Sequence, residues 1–189
     1  MAPLTSLKGL YDVVYADPPW PYYGDPNKMG AAGKEYSLMT TDEINGLPVR
    51  ALFKDAGACF VWATCPKLDL AIDAIRAWGL YYRGVAFTWQ KTARATGEPV
   101  GAQGVPPTAT KPTMELVLLG TTCKTGRPFK LLDSAVRQDI YESRQGHSVK
   151  PEEVRRRIDR LYGKRPSIEL FARRQPADCP NWAFWGNEL

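Results

Sequence analysis

The feature that most constrains the fold is a regular alternation of short apolar runs with helix-like segments. The run "YDVVYA" (11–16) is rich in β-branched and aromatic residues, which is typical of a strand. The segment "PKLDLAIDAIRAWG" (66–79) opens on proline, closes on glycine and carries apolar residues at helical spacing, so it predicts a helix. Strands that alternate with helices predict an α/β three-layer sandwich around a mostly parallel sheet.

The other elements follow the same rules. A short helix is predicted in "TTDEINGL" (40–47) and a longer one in "KPEEVRRRIDRLYG" (150–163). Strands are predicted in "GACFVWAT" (57–64), "YYRGVAFTWQK" (81–91), "MELVLLGTT" (114–122) and "SIELFA" (167–172). Because ligands of such sheets bind beyond the carboxyl ends of the strands, Asp17 and Arg173 are expected at a binding edge.

Length and composition predict one domain over residues 1–189, with a long loop around 91–113 that faces the substrate. The chain has no apolar run long enough for a membrane span and no signal-peptide core, so we expect a cytoplasmic protein. One histidine and four cysteines without a C-x-x-C pair argue against a metal site. A net charge of +5, with nine basic and four acidic residues between 150 and 174, favours a polyanionic partner.

The tetrapeptide "DPPW" (17–20), directly after the first strand, suits one kind of chemistry. Asp17 offers acceptor oxygens, and two prolines stiffen the turn so that the Pro18 carbonyl can point outward as a second acceptor. Trp20 adds a flat apolar face. Two convergent acceptors beside such a face match an exocyclic amine on a flat ring, such as N6 of adenine. The alternative is an ordinary turn that buries a tryptophan.

Seven ordered motifs carry a resemblance over nearly the whole chain: "ADPPW", "YSLMTTDEI", "WGLYYRGVAFTWQKT", "MELVLLG", "HSVKPEEV", "IELFARR" and "NWAFWGNEL". The chain resembles the DPPW-type N6-adenine methyltransferases that use S-adenosylmethionine. The resemblance implies a Rossmann-like class I methyltransferase fold in which the catalytic motif precedes the cofactor strand. The G-x-G-x-x-G signature of nucleotide-binding folds is absent, and only ten residues precede the first strand.

The resemblance also implies roles for individual residues. The catalytic set is Asp17, Pro18, Pro19 and Trp20. The residues expected to bind the cofactor are Asp17, Lys150, Glu169, Phe171, Arg173, Asn187 and Glu188. Tyr36 and Lys150 are expected beside the target nucleotide, and the basic residues Lys91 and Lys111 of the long loop are further candidates for substrate contact. The role of His147 stays open between a loop residue and a cofactor contact.

The substrate is the least constrained part of this interpretation. We expect DNA of weak or short sequence specificity rather than RNA, because no separate target-recognition domain fits in 189 residues. RNA N6-adenosine methylation, N4-cytosine methylation, a small-molecule amine and a non-catalytic nucleic-acid-binding subunit remain as alternatives. The intact Asp17–Trp20 tetrapeptide favours an enzyme over the last of these. A homodimer would supply additional binding surface.

Overall fold

A computed structural model describes residues 4–21, 39–101, 109–143 and 149–187, which build one mixed sheet with helices on both faces. The strands are β1 (Tyr11–Ala16), β2 (Phe53–Thr64), β3 (Tyr81–Thr92), β4 (Met114–Thr121), β5 (Asp139–Ser143), β6 (Ser167–Leu170) and β7 (Trp182–Trp185). The helices are α1 (Thr41–Asn45), α2 (Leu68–Ala77) and α3 (Glu152–Tyr162), with short 3-10 helices at Leu4–Leu7, Val49–Leu52 and Cys65–Lys67. None of the helices in these ranges is long and apolar enough to cross a membrane.

The strand order is β5-β3-β4-β2-β1-β6-β7. β1 runs parallel to β2 and β6, β6 to β7, and β3 to β5, whereas β4 is antiparallel to β2 and β3. A parallel pair needs a long crossover, usually a helix. The described residues between β3 and β4 include no helix, so the chain returns antiparallel there. The expected mostly parallel sheet is therefore confirmed, with β4 as the exception.

The two faces of the sheet bury separate apolar clusters. Val14 of β1 and Val61 of β2 face α1 and α2, whereas their neighbours Tyr15 and Trp62 face α3. This alternation follows from the two-residue period of a strand. Helices on both faces of a central sheet make the three-layer α/β sandwich that the sequence predicts.

The predicted helices and strands are all present, with shifted ends. α1 begins at a capping box in which the Thr40 hydroxyl accepts from the Glu43 amide and the Glu43 carboxylate accepts from the Thr40 amide. β2 starts at Phe53, four residues before its predicted start. The edge strand β5 was not predicted.

Strand direction brings several chain segments to one end of the sheet. β1, β6 and β7 all end there because they are parallel, and the antiparallel pairing places the start of β4 and the end of β3 at the same edge. We call this edge the Asp17 end. Asp17, Glu115, Lys91 and the segments after Leu170 and Trp185 all lie there.

Candidate active site

Asp17 leaves β1 at its carboxyl end and begins a tight turn. The Pro18 carbonyl accepts a hydrogen bond from the Trp20 amide at 2.8 Å, and the Pro19 carbonyl accepts from the Met39 amide at 3.3 Å. A carbonyl oxygen has two lone pairs, so the Pro18 carbonyl keeps one for a further donor. The turn is thus held by the backbone on both sides of the two prolines.

Trp20 braces this turn from inside the protein. Its side chain is only 9% exposed, and its Nε1 donates to the Trp62 carbonyl at 3.0 Å. The sequence analysis treated Trp20 as an open face beside the substrate. The structure places most of that face in the apolar cluster of α1 and α2, because the indole N–H finds its acceptor on β2.

Four charged side chains form a chain across the Asp17 end. The Lys150 ammonium lies 3.2 Å from Asp17 Oδ1 and donates to Glu115 Oε2 at 2.8 Å. The second oxygen of Glu115 accepts from Lys91 Nζ. Lys150 Nζ also lies 5.0 Å from the centre of the Trp62 ring, a cation–π distance. The chain Lys91–Glu115–Lys150–Asp17 joins β3, β4, β1 and the segment before α3.

The two carboxylates of this chain have opposite pKa shifts. Burial raises the pKa of Asp17, assisted by the charge of Glu115 and only partly offset by Lys150. Burial would also raise the pKa of Glu115, but Lys150 and Lys91 outweigh it and lower that pKa to about 2. Lys150 resists its own burial because Asp17 and Glu115 raise its pKa. Asp17 is therefore the carboxylate that takes a proton more readily.

A second charged group lies beside Asp17 on the same face of the sheet. Arg155, in the first turns of α3, binds the Glu169 carboxylate and donates through Nε to Glu152 at 3.0 Å. Burial raises the pKa of Glu169 to about 7 even though Arg155 opposes the shift, and the charge of Asp17 adds to it. The expected cofactor residue Glu169 is thus held by protein groups at the edge of the site.

The chain turns sharply where β6 ends. Phe171 adopts φ 62°, a left-handed conformation that is unusual for a residue other than glycine and that concentrates at functional sites. Its ring packs edge-on against Trp185, with centroids 5.9 Å apart. The Ala172 amide donates to the Trp185 carbonyl at 3.0 Å. A Cβ on Gly186 would lie 2.0 Å from the Ala172 carbonyl oxygen, so only glycine permits this approach.

The remaining predicted site residues divide into two groups. Arg173 lies near enough to lower the pKa of Asp17 by its charge, and Asn187 is exposed directly after the Gly186 contact. Tyr36 and Glu188, like His147, lie outside the described residues. The structure thus brings Asp17, Lys150, Glu169, Phe171 and Arg173 to one edge, with Asn187 beside them.

The loop around 91–113 differs in part from its prediction. Lys91 is the penultimate residue of β3, and its ammonium is paired with Glu115 rather than directed into a loop. Residues 92–100 fold back on themselves through the bridge between Thr92 and Pro99 and a bond from the Val100 amide to the Lys91 carbonyl. Lys111 is exposed. Of the two lysines, Lys111 alone keeps the surface position that substrate contact needs.

The basic stretch 150–174 is also largely neutralised inside the protein. Six of its nine cations are paired with carboxylates, namely Lys150, Arg155, Arg157, Arg160, Arg165 and Arg174. Their partners come from distant parts of the chain, such as Asp12 and Asp133, which a local count of acids does not include. This stretch is therefore a weaker attraction for polyanions than its sequence suggests.

Glu115 is the site residue that the sequence analysis missed. It is a single acid near the start of an otherwise apolar strand, and its side chain is only 11% exposed. Buried charges are retained when they are paired, so an isolated acid in an apolar strand indicates cationic partners. The sequence does not show which cations these are.

The fold and site can be set beside known proteins. The MT-A70 family profile matches residues 11–188. The chain is 29% identical to the type II methyltransferase M.MunI of a Mycoplasma species, over 95% of this chain and 78% of that protein. It is 31% identical to a Drosophila melanogaster N(6)-adenosine-methyltransferase MT-A70-like protein and 29% identical to the human N(6)-adenosine-methyltransferase catalytic subunit METTL3, in each case over 97% of this chain.

The extent of these matches differs between relatives. This chain spans under a third of the Drosophila and human proteins, 28% and 29% of their lengths. The family profile, by contrast, covers nearly the whole chain, and the DPPW motif, the β6 strand and the Asp17 end all lie within it. The chain belongs to the MT-A70 family of N6-adenine methyltransferases, as its motifs suggest.

Proposed function

We propose that this protein transfers a methyl group from S-adenosylmethionine to the N6 amine of adenine in DNA, with weak or short sequence specificity. The observation that carries the proposal is the position of Asp17. A half-buried carboxylate leaves a strand end beside a free carbonyl lone pair, and lysine and arginine charges surround it. The near full-length match to a type II methyltransferase favours DNA over RNA.

In this mechanism the Asp17 carboxylate and the Pro18 carbonyl accept the two hydrogens of the amine. These bonds orient the nitrogen and free its lone pair from the ring. The protein need not supply a strong base, because the amine attacks before it loses its proton. The raised pKa of Asp17 then makes its Oδ atoms a suitable acceptor for that proton.

The residues at the Asp17 end have the donor set that S-adenosylmethionine requires. Lys150 and Arg173 suit its carboxylate, Asp17 suits its amino group, and Asn187 suits its ribose hydroxyls. Phe171 offers an apolar ring, and Glu169 stays fixed by Arg155 at the edge of the site. When bound, the cofactor supplies an electrophilic methyl group. Tyr36, Glu188 and Lys111 remain proposed contacts to the target base, the ribose and the nucleic-acid backbone.

Incubation with methyl-labelled S-adenosylmethionine and separate DNA and RNA pools, followed by mass analysis of the nucleosides, tests the activity. We expect N6-methyladenine in the DNA digest. Label in RNA alone would assign the substrate to RNA, and N4-methylcytosine would show that the wrong amine has been proposed.

The role of Asp17 is tested by Asp17→Asn, which keeps the size of the side chain but loses the charge. We expect methyl transfer to fall at least about 100-fold, in line with the loss of one preorganised polar group in an active site. Asp12→Asn is a matched control, because Asp12 lies on the same strand at its opposite end and is likewise paired with cations. Full activity in Asp17→Asn would rule out this mechanism.

A further inference from the structure

An open pocket lies at the opposite end of the sheet from Asp17. It has a volume of about 610 Å³ and is lined by Arg83, Gly126, Arg127, Pro128, Phe129 and Lys130. Arg83 lies near the start of β3, and the other residues follow the end of β4. We call it the distal basic pocket. No step of the proposed methyl transfer uses it.

The pocket carries cations that the protein does not neutralise. Arg127 and Lys130, with the neighbouring Lys124, are exposed, and none of the three has a carboxylate partner among the described residues. Most cations of the stretch 150–174, by contrast, are paired. The unpaired positive charge is therefore concentrated here rather than in the stretch that the sequence singled out.

The pocket is also built rather than accidental. The Arg83 guanidinium donates to the carbonyls of Lys124 and Gly126 at 3.1 and 3.0 Å and so holds the loop that carries the other cations. Gly126 allows the loop to turn with φ 73°. Phe129 is fixed on its two sides by the Arg165 guanidinium at 4.1 Å and by the Tyr162 ring at 5.4 Å.

We propose that the distal basic pocket binds the phosphodiester backbone of the nucleic-acid substrate, away from the nucleotide that is methylated. Clustered exposed arginine and lysine side chains recognise phosphate without regard to base sequence. A backbone contact of this kind supplies affinity without requiring a target-recognition domain. The inference rests on the proposed nucleic-acid substrate, but not on the chemistry at Asp17.

Distance sets the length of nucleic acid that can use both sites. Glu115 and Thr121 lie at the two ends of β4, about 20 Å apart at roughly 3.4 Å per residue. Successive nucleotides of a duplex strand are also about 3.4 Å apart, so the pocket lies on the order of six nucleotides from the target. Shorter flanks cannot reach it.

The test compares Arg127→Gln/Lys130→Gln with Lys8→Gln/Arg50→Gln. Each double variant removes two exposed charges, and the control pair lies on segments that pack on the other face of the sheet. Anisotropy of labelled DNA and RNA is measured over a range of salt concentrations. The probes have flanks of about 3 or about 15 random nucleotides on each side of an adenine, below and above the six-nucleotide reach.

For the long probes we expect the pocket variant to bind at least about fivefold more weakly at low salt. The slope of log K against log salt should fall by about 0.9 for each lost duplex contact, or about 0.7 in a single strand. The short probes should bind as they do to wild type, and the control variant should match wild type throughout. An unchanged slope in the pocket variant, or an equal loss in the control, overturns the proposal.

Methylation of the same probes separates this inference from the proposed function. If wild type binds through the pocket but methylates no adenine, the function fails and the pocket stands. If wild type methylates but the pocket variant keeps the affinity and KM of wild type for long probes, the pocket fails and the function stands. The DNA and RNA arms show which backbone is bound.

Discussion

At the scale of single residues, Lys150 controls the charge of Asp17. Burial raises the pKa of Asp17, and the nearby Lys150 ammonium is the strongest of the groups that oppose this shift. Lys150→Gln removes the cation, so we expect the pKa of Asp17 to rise further. Because the proposed mechanism needs the ionised carboxylate, the acid limb of the activity should move to higher pH.

The measurement is kcat against pH at saturating S-adenosylmethionine, which separates this effect from weaker cofactor binding. Lys8→Gln is the control, because Lys8 is exposed and lies at the opposite end of β1 from Asp17. An acid limb that stays in place, or moves to lower pH, would show that Lys150 does not set the ionisation of Asp17.

The residues of the site were predictable to different degrees. Asp17 and Lys150 stand in local motifs, so the sequence alone identifies them. Glu115 could not be identified in this way, because its importance depends on Lys91 and Lys150, which lie 24 and 35 residues away. Trp20 was predicted as a site residue, but its burial depends on an acceptor on β2 that no local pattern reveals.

At the scale of elements, the ends of β6 and β7 are held together by the close contact of Gly186 with Ala172. Gly186→Ala would place a methyl group 2.0 Å from a backbone oxygen, which cannot move as a flexible side chain does. We expect a destabilisation of about 1–3 kcal/mol. The affinity for S-adenosylmethionine should fall as well, because Phe171 and Asn187 flank this contact.

Urea denaturation and calorimetric titration of the cofactor measure the two effects. Gly101→Ala is the matched control, because its new methyl group would meet only the flexible stem of Lys111. Equal behaviour of the two variants would mean that the β6–β7 contact does not shape the site.

The elements themselves were largely predictable from hydrophobic periodicity, with two informative exceptions. β5 has the sequence "DIYES", in which only Ile140 is buried, so an edge strand leaves too weak a pattern to detect. The antiparallel direction of β4 depends on how the chain between β3 and β4 returns. Periodicity predicts that a strand exists, but not the direction in which it runs.

At the scale of the whole molecule, the chain Lys91–Glu115–Lys150–Asp17 joins strands that lie far apart in sequence. Such a buried network stabilises the fold only while its carboxylates are ionised. The pKa of Glu115 is about 2 in the folded protein, against an ordinary value of 4.5. Its contribution is therefore fully present above about pH 4.5 and is lost as the pH falls toward 2. A shift of this size corresponds to about 3 kcal/mol.

Glu115→Gln removes this contribution, so the variant should be less stable than wild type by about 3 kcal/mol at pH 7. Below pH 4.5 the difference should narrow, because wild type protonates Glu115 and loses the same interaction. Glu169, whose pKa is raised to about 7, has the opposite sign and loses stability as the pH rises from about 4.5 to 7. It is common to both proteins, so it cancels in the difference.

Urea denaturation of both proteins at several pH values between 7 and 3.5 gives this difference directly. Glu98→Gln serves as the control, because Glu98 is exposed and its replacement should leave a small, pH-independent difference. A wild-type advantage that stays constant below pH 4.5 would mean that Glu115 is not held ionised by Lys91 and Lys150. The four-residue chain would then be a feature of the site without being a link that holds the sheet together.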